Sequence, residues 1–417
     1  MSVTPPTLDR LDDAPGRRSV GLPGRPFDRI PRAWREALWV TLTVRLGLLL
    51  LGVFVWIQLS PPGPCNFELA RNGWTTIPPL DANGLSFPLV GIWQHWDACW
   101  YSKIATFGYE SGTDATNFFP AFPLLMGAMA RPLGGDVALA GMLVNLVLTV
   151  VGLAGLHRLV GRDLGVRVAD RTILYLSIFP AAFFLHAPFT EALFLACTAW
   201  AFVGARERRW WLAAGAALAA GLTRTPGILL ALPLAWEAFA AWRAAGSASG
   251  RRPPPVASLA AVVAPVAGFA LFAWYTSSVV GLGLLDAQDA WGGRDFHWPW
   301  ETLSAAIAWV ADGRQAAGIE LLNVVTFLLF AGIVVGAARR LPLSYTLYAA
   351  ASLTILIVRL QPTPLTATSR YLLVIFPVFA ALGILGRHRR FDTAWTLVST
   401  LFLGLVVVTF LRGDFVA

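Results

Sequence analysis

The sequence predicts an all-α polytopic membrane protein with about 11 transmembrane helices and a large first extracytoplasmic loop. Hydrophobic residues make up 56% of the 417 residues, charged residues make up 13%, and the mean hydropathy is +0.62. A soluble domain carries roughly a quarter charged residues. The spans are predicted to be helices because isolated strands cannot satisfy their backbone hydrogen bonds in lipid.

The net charge of +8 comes from arginines that fall in short clusters between apolar stretches. Such clusters are typical of topology signals and of contacts with anionic lipid headgroups. We therefore expect the lipid bilayer, and not nucleic acid, to be their partner. The clusters lie at Arg10–Arg35, Arg158–Arg171, Arg206–Arg209, Arg243–Arg252, Arg339–Arg340 and Arg387–Arg390.

If all these clusters face the cytoplasm, the apolar spans between them come in pairs, with the N-terminus inside and the C-terminus outside. The predicted spans are 37–59, 137–158, 172–187, 190–204, 211–225, 227–242, 256–280, 319–338, 342–360, 371–386 and 393–411. Several are shorter than the roughly 20 residues that a straight helix needs to cross a bilayer. We therefore expect broken helices at 172–204 and 211–242, which in membranes usually line a cavity.

Residues 1–33 are rich in Pro, Gly, Arg and Asp and are predicted to be a disordered cytoplasmic tail. Residues 34–417 form the predicted membrane domain, with outer loops at 60–136 and 281–318 that collect many of the acidic residues. An apolar run at 118–126 is too short to span and is predicted to be an interfacial or re-entrant helix.

The segment Trp93–Tyr109, in the first outer loop, places the ionisable residues His95, Asp97 and Lys103 among aromatic residues. Tryptophan and tyrosine favour the membrane–water boundary. A partly desolvated carboxylate at that boundary suits the removal of a proton from a hydroxyl. An equally weighted alternative is an aromatic belt in which Asp97 only caps a helix. The aromatic residues are Trp93, Trp96, Trp100, Tyr101, Phe107 and Tyr109.

Three further sites place ionisable residues at the outer ends of predicted spans. His186 and Glu191 flank one break, Arg224 lies in another, and Ser369-Arg370-Tyr371 begins a later span. Ionisable residues at such depth indicate function, and the forked donors of arginine suit a phosphate. The alternative is an Arg–Glu pair that only holds helices together. Arg45, inside the first span, either snorkels to the boundary or pairs internally.

Cysteine and histidine positions add two expectations. Cys65 and Cys99 both fall in the first outer loop, where they form a disulfide or remain two free thiols. The histidines are scattered without Cys or His partners at the spacing of a zinc site.

The segment His-Trp-Asp-Ala-Cys-Trp-Tyr-Ser-Lys-Ile-Ala-Thr-Phe-Gly-Tyr, which begins at His95, resembles the PIG-V (GPI mannosyltransferase 2) family. Asn-Phe-Phe-Pro-Ala-Phe-Pro-Leu from Asn117 fits the same pattern, as do Thr190-Glu191, Thr223-Arg224 and Ser369-Arg370-Tyr371. The resemblance extends over about residues 90–380. It implies a C-type glycosyltransferase with a polyprenyl-phosphate sugar donor and an acidic residue in the first outer loop, which here is Asp97. His95 stands where relatives often have arginine.

The resemblance further implies transfer of a mannose to an acceptor hydroxyl on a glycan, glycolipid or protein, with inversion. Asp97 then accepts the hydroxyl proton, while Arg224, Arg370 and Lys103 bind the donor phosphate. The residues expected to shape the site are His95, Trp96, Trp100, Tyr101, Tyr109, Glu191 and Tyr371. We expect no cofactor, and a divalent metal stays open. The composition suggests a bacterial plasma membrane protein with its site outside, so the GPI substrate is not carried over.

The competing prediction is a flippase or secondary transporter of lipid-linked sugars. A transporter needs its charged residues near the midplane, whereas Asp97, Arg224 and Arg370 are predicted at the outer ends of spans. A purely structural scaffold has no use for an aspartate surrounded by tryptophans. The sequence therefore favours the transferase.

Overall fold

The structure, a computed structural model, describes residues 30–65, 84–110, 114–249, 256–284, 286, 296–314, 316–358, 364–414 and 416. This part of the chain is built from α-helices joined by short turns and 3-10 segments, as expected. Most of the predicted tail at 1–33, and part of each outer loop, lies outside the described residues.

The helices follow in chain order. They are α1 (Arg32–Leu59), α2 (Asp97–Phe107), α3 (Ala121–Ala130), α4 (Val137–Leu164), α5 (Val166–Ser177), α6 (Glu191–Arg206), α7 (Trp210–Gly221), α8 (Ala231–Ser249), α9 (Val256–Tyr275), α10 (Pro299–Ala311), α11 (Ala317–Ala337), α12 (Leu343–Ile357), α13 (Thr368–Leu373), α14 (Phe376–Leu385) and α15 (Arg389–Leu411).

Within the described residues, 6 helical stretches are long and apolar enough to cross a membrane. They comprise α1, α4, α11 and α15, together with 225–245 and 256–280, which contain most of α8 and all of α9. The apolar helices α7, α12 and α14 are shorter. An all-α multi-span fold is therefore confirmed, and the total of eleven crossings stays a prediction.

The expected breaks are present, but two predicted spans were wrong. The span 371–386 begins inside α13, which ends at Leu373, and continues only from Phe376 in α14. The predicted span 172–187 is not one helix, because α5 begins at Val166 and ends at Ser177. Residues 178–190 then run irregularly, with a 3-10 turn at Ala182–Leu185. Pro180 and Pro188 lie in this segment, and a proline has no amide hydrogen to continue a helix.

Polar contacts between distant helices define one end of the bundle, here called the basic end. It gathers the starts of α1, α5 and α12 with the ends of α4 and α6. The contacts are Arg32–Asp170 at 2.7 Å, Arg158–Glu207 at 2.6 Å, Arg206–Asp163 at 3.2 Å and Tyr345–Asp163 at 2.9 Å. Several arginine clusters that were predicted to share one side of the membrane therefore do lie together.

Helices α7 and α9 cross with their backbones in contact. A Cβ atom on Gly221 would lie 2.1 Å from the carbonyl oxygen of Pro265, and one on Gly268 would lie 2.4 Å from that of Leu218. Small residues permit such close packing of membrane helices. Gly221 ends α7, so the crossing fixes the chain just before Arg224.

The first outer loop folds back against the bundle. The apolar run at 118–126 contributes to α3, a helix of 10 residues that is too short to span. Cys65 and Cys99 form a disulfide, with Cα atoms 5.7 Å apart, which decides between the two alternatives left open by the sequence. Disulfides persist in oxidising compartments, and the extracytoplasmic location of the loop stays a prediction.

Candidate active site

The Asp97 carboxylate lies at the start of α2 and is paired with an arginine. Trp96, the residue before the helix, has a φ of 55°, a left-handed conformation that is rare for a bulky residue. No side chain caps this helix end; instead Asp97 accepts a hydrogen bond from Nη1 of Arg370. The predicted capping role is therefore not the interaction that the side chain makes.

Arg370 extends the pair into a network of four charged groups, here called the Asp97–Arg224 network. Its Nε atom donates to Oε1 of Glu191, and the same oxygen accepts a hydrogen bond of 2.5 Å from Nη1 of Arg224. The side chains of Glu191, Arg370 and Arg224 are 0%, 7% and 8% exposed, whereas Asp97 is 26% exposed. Only Asp97 offers a substantially accessible charged group.

Each member of the network sits at the end of a secondary-structure element. Glu191 is the first residue of α6. Arg224 has extended backbone between α7 and a 3-10 turn, and Arg370 lies in the six-residue helix α13. Two carboxylates and two guanidinium groups give the network a formal charge of zero, so the arginines are already neutralised.

Aromatic rings surround the two arginines. The guanidinium carbon of Arg370 lies 4.7 Å from the ring centre of Phe189 and 5.2 Å from that of Phe184. That of Arg224 lies 4.7 Å from the ring centre of Tyr371. Cation–π contacts of this kind stabilise a charge away from water. They bring Tyr371 next to Arg224, and its role in the site stays a prediction.

Tyr101 is buried one turn after Asp97, between the rings of Phe118 and Phe122, each centred 5.4 Å away. Burial, and then the negative charge of Asp97, raise the pKa of Tyr101. The phenol therefore stays protonated and shapes the site without serving as its base.

Other predicted site residues have partners outside the network. Nζ of Lys103 is 2.9 Å from Oε2 of Glu110, so its charge is already paired there. Trp100 stacks on Phe118 with ring centres 5.1 Å apart. The Tyr109 hydroxyl donates to the carbonyl oxygen of Phe118 at 2.6 Å. These contacts hold the loop together and do not bring Lys103 to the two arginines.

His95 is also buried away from the four charges. Its ring meets that of Phe410 edge-on, with centres 5.5 Å apart. Burial lowers the pKa of His95 to about 4, so the imidazole is neutral at physiological pH. His95 therefore does not replace the cation that relatives often carry at this position.

Two polar residues of α4 support the irregular segment 178–190, and the sequence analysis missed them. Nδ2 of Asn145 donates to the carbonyl oxygens of Ala187 at 2.5 Å and Phe189 at 3.0 Å. The Thr149 hydroxyl donates to the carbonyl oxygen of Leu185 at 3.0 Å. The available signal was an asparagine inside the apolar run Leu-Val-Asn-Leu-Val.

A second pair of buried polar residues, on α11, fixes the chain before Arg370. Oε1 of Glu320 accepts a hydrogen bond of 2.8 Å from the amide of Leu365. Oδ1 of Asn323 accepts one of 3.2 Å from the amide of Ser369. Glu320 and Asn323 stand out in the sequence as polar residues of an otherwise apolar span, and this pattern could have indicated their role.

A small, mainly apolar pocket with a cavity volume of about 20 Å³ begins at Arg224 and Tyr371. Its walls include Phe194, Ile355 and Leu356. The pocket therefore joins the cationic end of the network to a hydrophobic interior. Among the described residues, no group of three His, Cys, Asp or Glu side chains is arranged to hold a metal ion; the metal requirement stays a prediction.

Three solved structures are similar to the chain in part. ArnT from Cupriavidus metallidurans bound to undecaprenyl phosphate is 17% identical, with a TM-score of 0.47, over 72% of this chain and 57% of that one. The Archaeoglobus fulgidus oligosaccharyltransferase tethered to an acceptor peptide is 13% identical, with a TM-score of 0.45, over 92% and 56%. The archaeal oligosaccharyltransferase AglB from A. fulgidus, with an inhibitory peptide and a dolichol-phosphate, is 11% identical, with a TM-score of 0.43, over 90% and 56%.

The chain thus spans little more than half the length of these proteins, and at such scores the likeness alone assigns no activity. No curated protein matches the sequence significantly. A family model described as dolichyl-phosphate-mannose-protein mannosyltransferase matches residues 120–274, which include Glu191 and Arg224 and make up fewer than half of the 417 residues. Over those residues the chain is similar to this mannosyltransferase family.

Proposed function

We propose that the protein is a membrane glycosyltransferase that moves a mannose or another hexose from a polyprenyl-phosphate donor to an acceptor hydroxyl. The observation that carries the proposal is the Asp97–Arg224 network. It joins a partly exposed carboxylate to two buried arginines, one of which borders an apolar pocket. A base and a phosphate-binding group beside apolar side chains are elements that this transfer needs.

The chemical step requires one displacement. The acceptor oxygen bonds to the anomeric carbon, the bond from that carbon to the phosphate oxygen breaks, and the hydroxyl proton passes to Asp97. The phosphate leaves on its lipid, and the sugar inverts its anomeric configuration. Proton removal by a positioned base contributes roughly a hundredfold or more to such a rate.

The donor phosphate is proposed to bind at Arg224 and Arg370. Both arginines are bonded to carboxylates, so a phosphate has to replace part of the contact with Glu191 or Asp97. Forked guanidinium donors favour a phosphate over a single carboxylate oxygen. Lys103, which was expected to contribute, is left out because Glu110 already pairs with it. With two arginines present, we propose that no obligatory metal is needed.

The polyprenyl chain is proposed to lie against the apolar side chains beside Arg224, where the pocket of about 20 Å³ would widen around it. Apolar walls that end at a cation match a ligand with a hydrocarbon tail and a phosphate head. The family match, whose description names a dolichyl-phosphate-mannose donor, supports the same class of donor. Which acceptor receives the sugar (a glycan, a glycolipid or a protein) is left to the assay.

The proposal is tested with radiolabelled polyprenyl-phosphate mannose. Purified protein in liposomes is incubated with this donor and with membrane extract, and the labelled product is identified. We expect mannose in a new product, and no product from a matched Asp97→Asn preparation. Movement of intact donor across the liposome membrane without any product would support the transporter instead and reject the transferase.

The orientation of the site is tested separately by cysteine labelling. The native background is small because Cys65 and Cys99 form a disulfide and Cys197 is buried. We expect a cysteine at position 110 to react with an impermeant reagent on intact cells, and one at position 208 to react only after permeabilisation. The reverse pattern would reject an outward-facing site.

A further inference from the structure

A second pocket, with several polar side chains in its lining, lies between α1, α4, α5 and the segment 178–190. The polar residues that line it are Thr41, Arg45, Thr149, Ser177 and His186. They belong to four separate parts of the chain, and the Asp97–Arg224 network contains none of them.

The charge of Arg45 in this pocket has no acidic partner. Its two terminal nitrogens donate to the carbonyl oxygens of Met142 at 3.2 Å and Leu185 at 3.0 Å. Carbonyl groups accept hydrogen bonds but leave the positive charge unbalanced. No ion pair within the described residues includes Arg45, in contrast to the neutral network. An uncompensated charge inside a membrane protein is costly and indicates a function or a bound partner.

Several buried polar atoms converge on the same pocket without a hydrogen-bond partner. They are Nε of Arg45, the hydroxyl oxygens of Thr41 and Ser177, and both ring nitrogens of His186. Thr41, Ser177 and His186 are 2%, 3% and 2% exposed. Buried polar groups are normally paired, so several unpaired ones around one pocket point to a bound guest.

We propose that this pocket binds a small inorganic anion of the halide class, such as chloride. The guanidinium supplies the positive charge, and the two hydroxyls and one imidazole N–H can each donate to the same ion. The cavity volume is about 20 Å³, close to that of one water molecule, so a monatomic ion fits it better than an organic phosphate does.

The position of the anion connects it to the candidate active site. The carbonyl oxygen of Leu185 accepts hydrogen bonds from both Arg45 and Thr149. The same segment carries Phe184 and Phe189, whose rings contact Arg370. An anion that holds Arg45 in place therefore also supports the segment on which those rings depend.

The first test uses bromide as the probe, because its anomalous scattering identifies it. Crystals of the full chain grown in sodium bromide should show an anomalous peak within hydrogen-bond distance of the Arg45 guanidinium. An ordered pocket without such a peak would mean that water alone fills it, and the proposal would be overturned.

The second test follows thermal unfolding of the purified protein in sodium chloride and in sodium gluconate at equal ionic strength. A ligand that binds only the folded state raises the melting temperature, here by roughly 1–2 °C at tenfold saturation for a chain of 417 residues. We expect this shift to disappear in Arg45→Met and to persist in Arg162→Met, which removes an exposed arginine of α4.

If Arg45→Met does not fold, Ser177→Ala provides the measurement instead. It removes one donor and keeps the charge, so the chloride concentration needed for half of the shift should rise by roughly tenfold. Equal melting temperatures in the two salts for the unmodified protein, or a shift that Ser177→Ala leaves unchanged, would reject the anion site.

Discussion

The two carboxylates of the Asp97–Arg224 network differ in exposure, and this difference separates a catalytic role from a structural one. Asp97 is 26% exposed and bonded to one arginine, whereas Glu191 is 0% exposed and bonded to two. We therefore compare Asp97→Asn with Glu191→Gln. Both changes remove a negative charge and keep the size of the side chain.

The expected losses of folding free energy follow from these contacts. In Asp97→Asn, Arg370 keeps Glu191 as its counterion and the amide can still accept a hydrogen bond, so the loss should be about 1 kcal/mol. In Glu191→Gln, two buried guanidinium groups lose the acid that they share. Removing one partner of a buried ion pair costs about 3–5 kcal/mol.

Asp97→Asn is expected to affect activity far more than stability. Asp97→Asn should lower the turnover of labelled donor by roughly a hundredfold or more, because an amide cannot take a proton. Its donor KM should not rise, because both arginines remain and Arg370 no longer bonds to a carboxylate at position 97. Transfer rates at saturating donor and thermal unfolding in the same detergent provide the two measurements. A folded Asp97→Asn enzyme with a near-normal rate would refute the assignment of the base.

Three further changes test other parts of the site. Arg224→Ala should raise the donor KM by roughly ten- to a hundredfold, because a charge-assisted contact is worth about 1.5–3 kcal/mol; unchanged donor kinetics would make this arginine structural. Cys65→Ser, or reduction of the bond to Cys99, should lower stability by about 2–4 kcal/mol, and unaltered unfolding after reduction would count against the bond. Asn145→Leu leaves two buried carbonyls without a donor and should cost about 1–3 kcal/mol. If the segment 178–190 positions the site, Asn145→Leu should also lower kcat more than it changes KM. A loss of stability with a normal kcat would show that Asn145 serves folding alone.

The fold class followed from composition because apolar spans and arginine clusters are local features of the sequence. The break between α5 and α6 was also predictable, since proline and shortness both act within a few residues. The ends of the helices were harder to place. At Val166–Ser177 the helix begins among arginines and ends before its apolar stretch does, because the following prolines stop it.

The sequence identified Asp97, Glu191, Arg224 and Arg370 as unusual charges but did not show how they pair. Asp97 and Arg370 are 273 positions apart, and their contact depends on how α2, α6 and α13 meet. For that reason Arg224 and Arg370 were expected to be unpaired cations, whereas the carboxylates of Glu191 and Asp97 balance their charge. The pairing of Lys103 was also missed, although its partner Glu110 is close in sequence and follows just after α2 ends.

Arg370 takes part in two steps of the proposed mechanism, the release of the base and the binding of the leaving phosphate. This one side chain bonds to the proposed base and is also a proposed ligand of the leaving phosphate. When a donor phosphate takes over the guanidinium, the same exchange frees an oxygen of Asp97 for the acceptor hydroxyl. The proposed mechanism therefore predicts a fixed binding order, donor before acceptor, with the proposed base bonded to Arg370 until a donor binds.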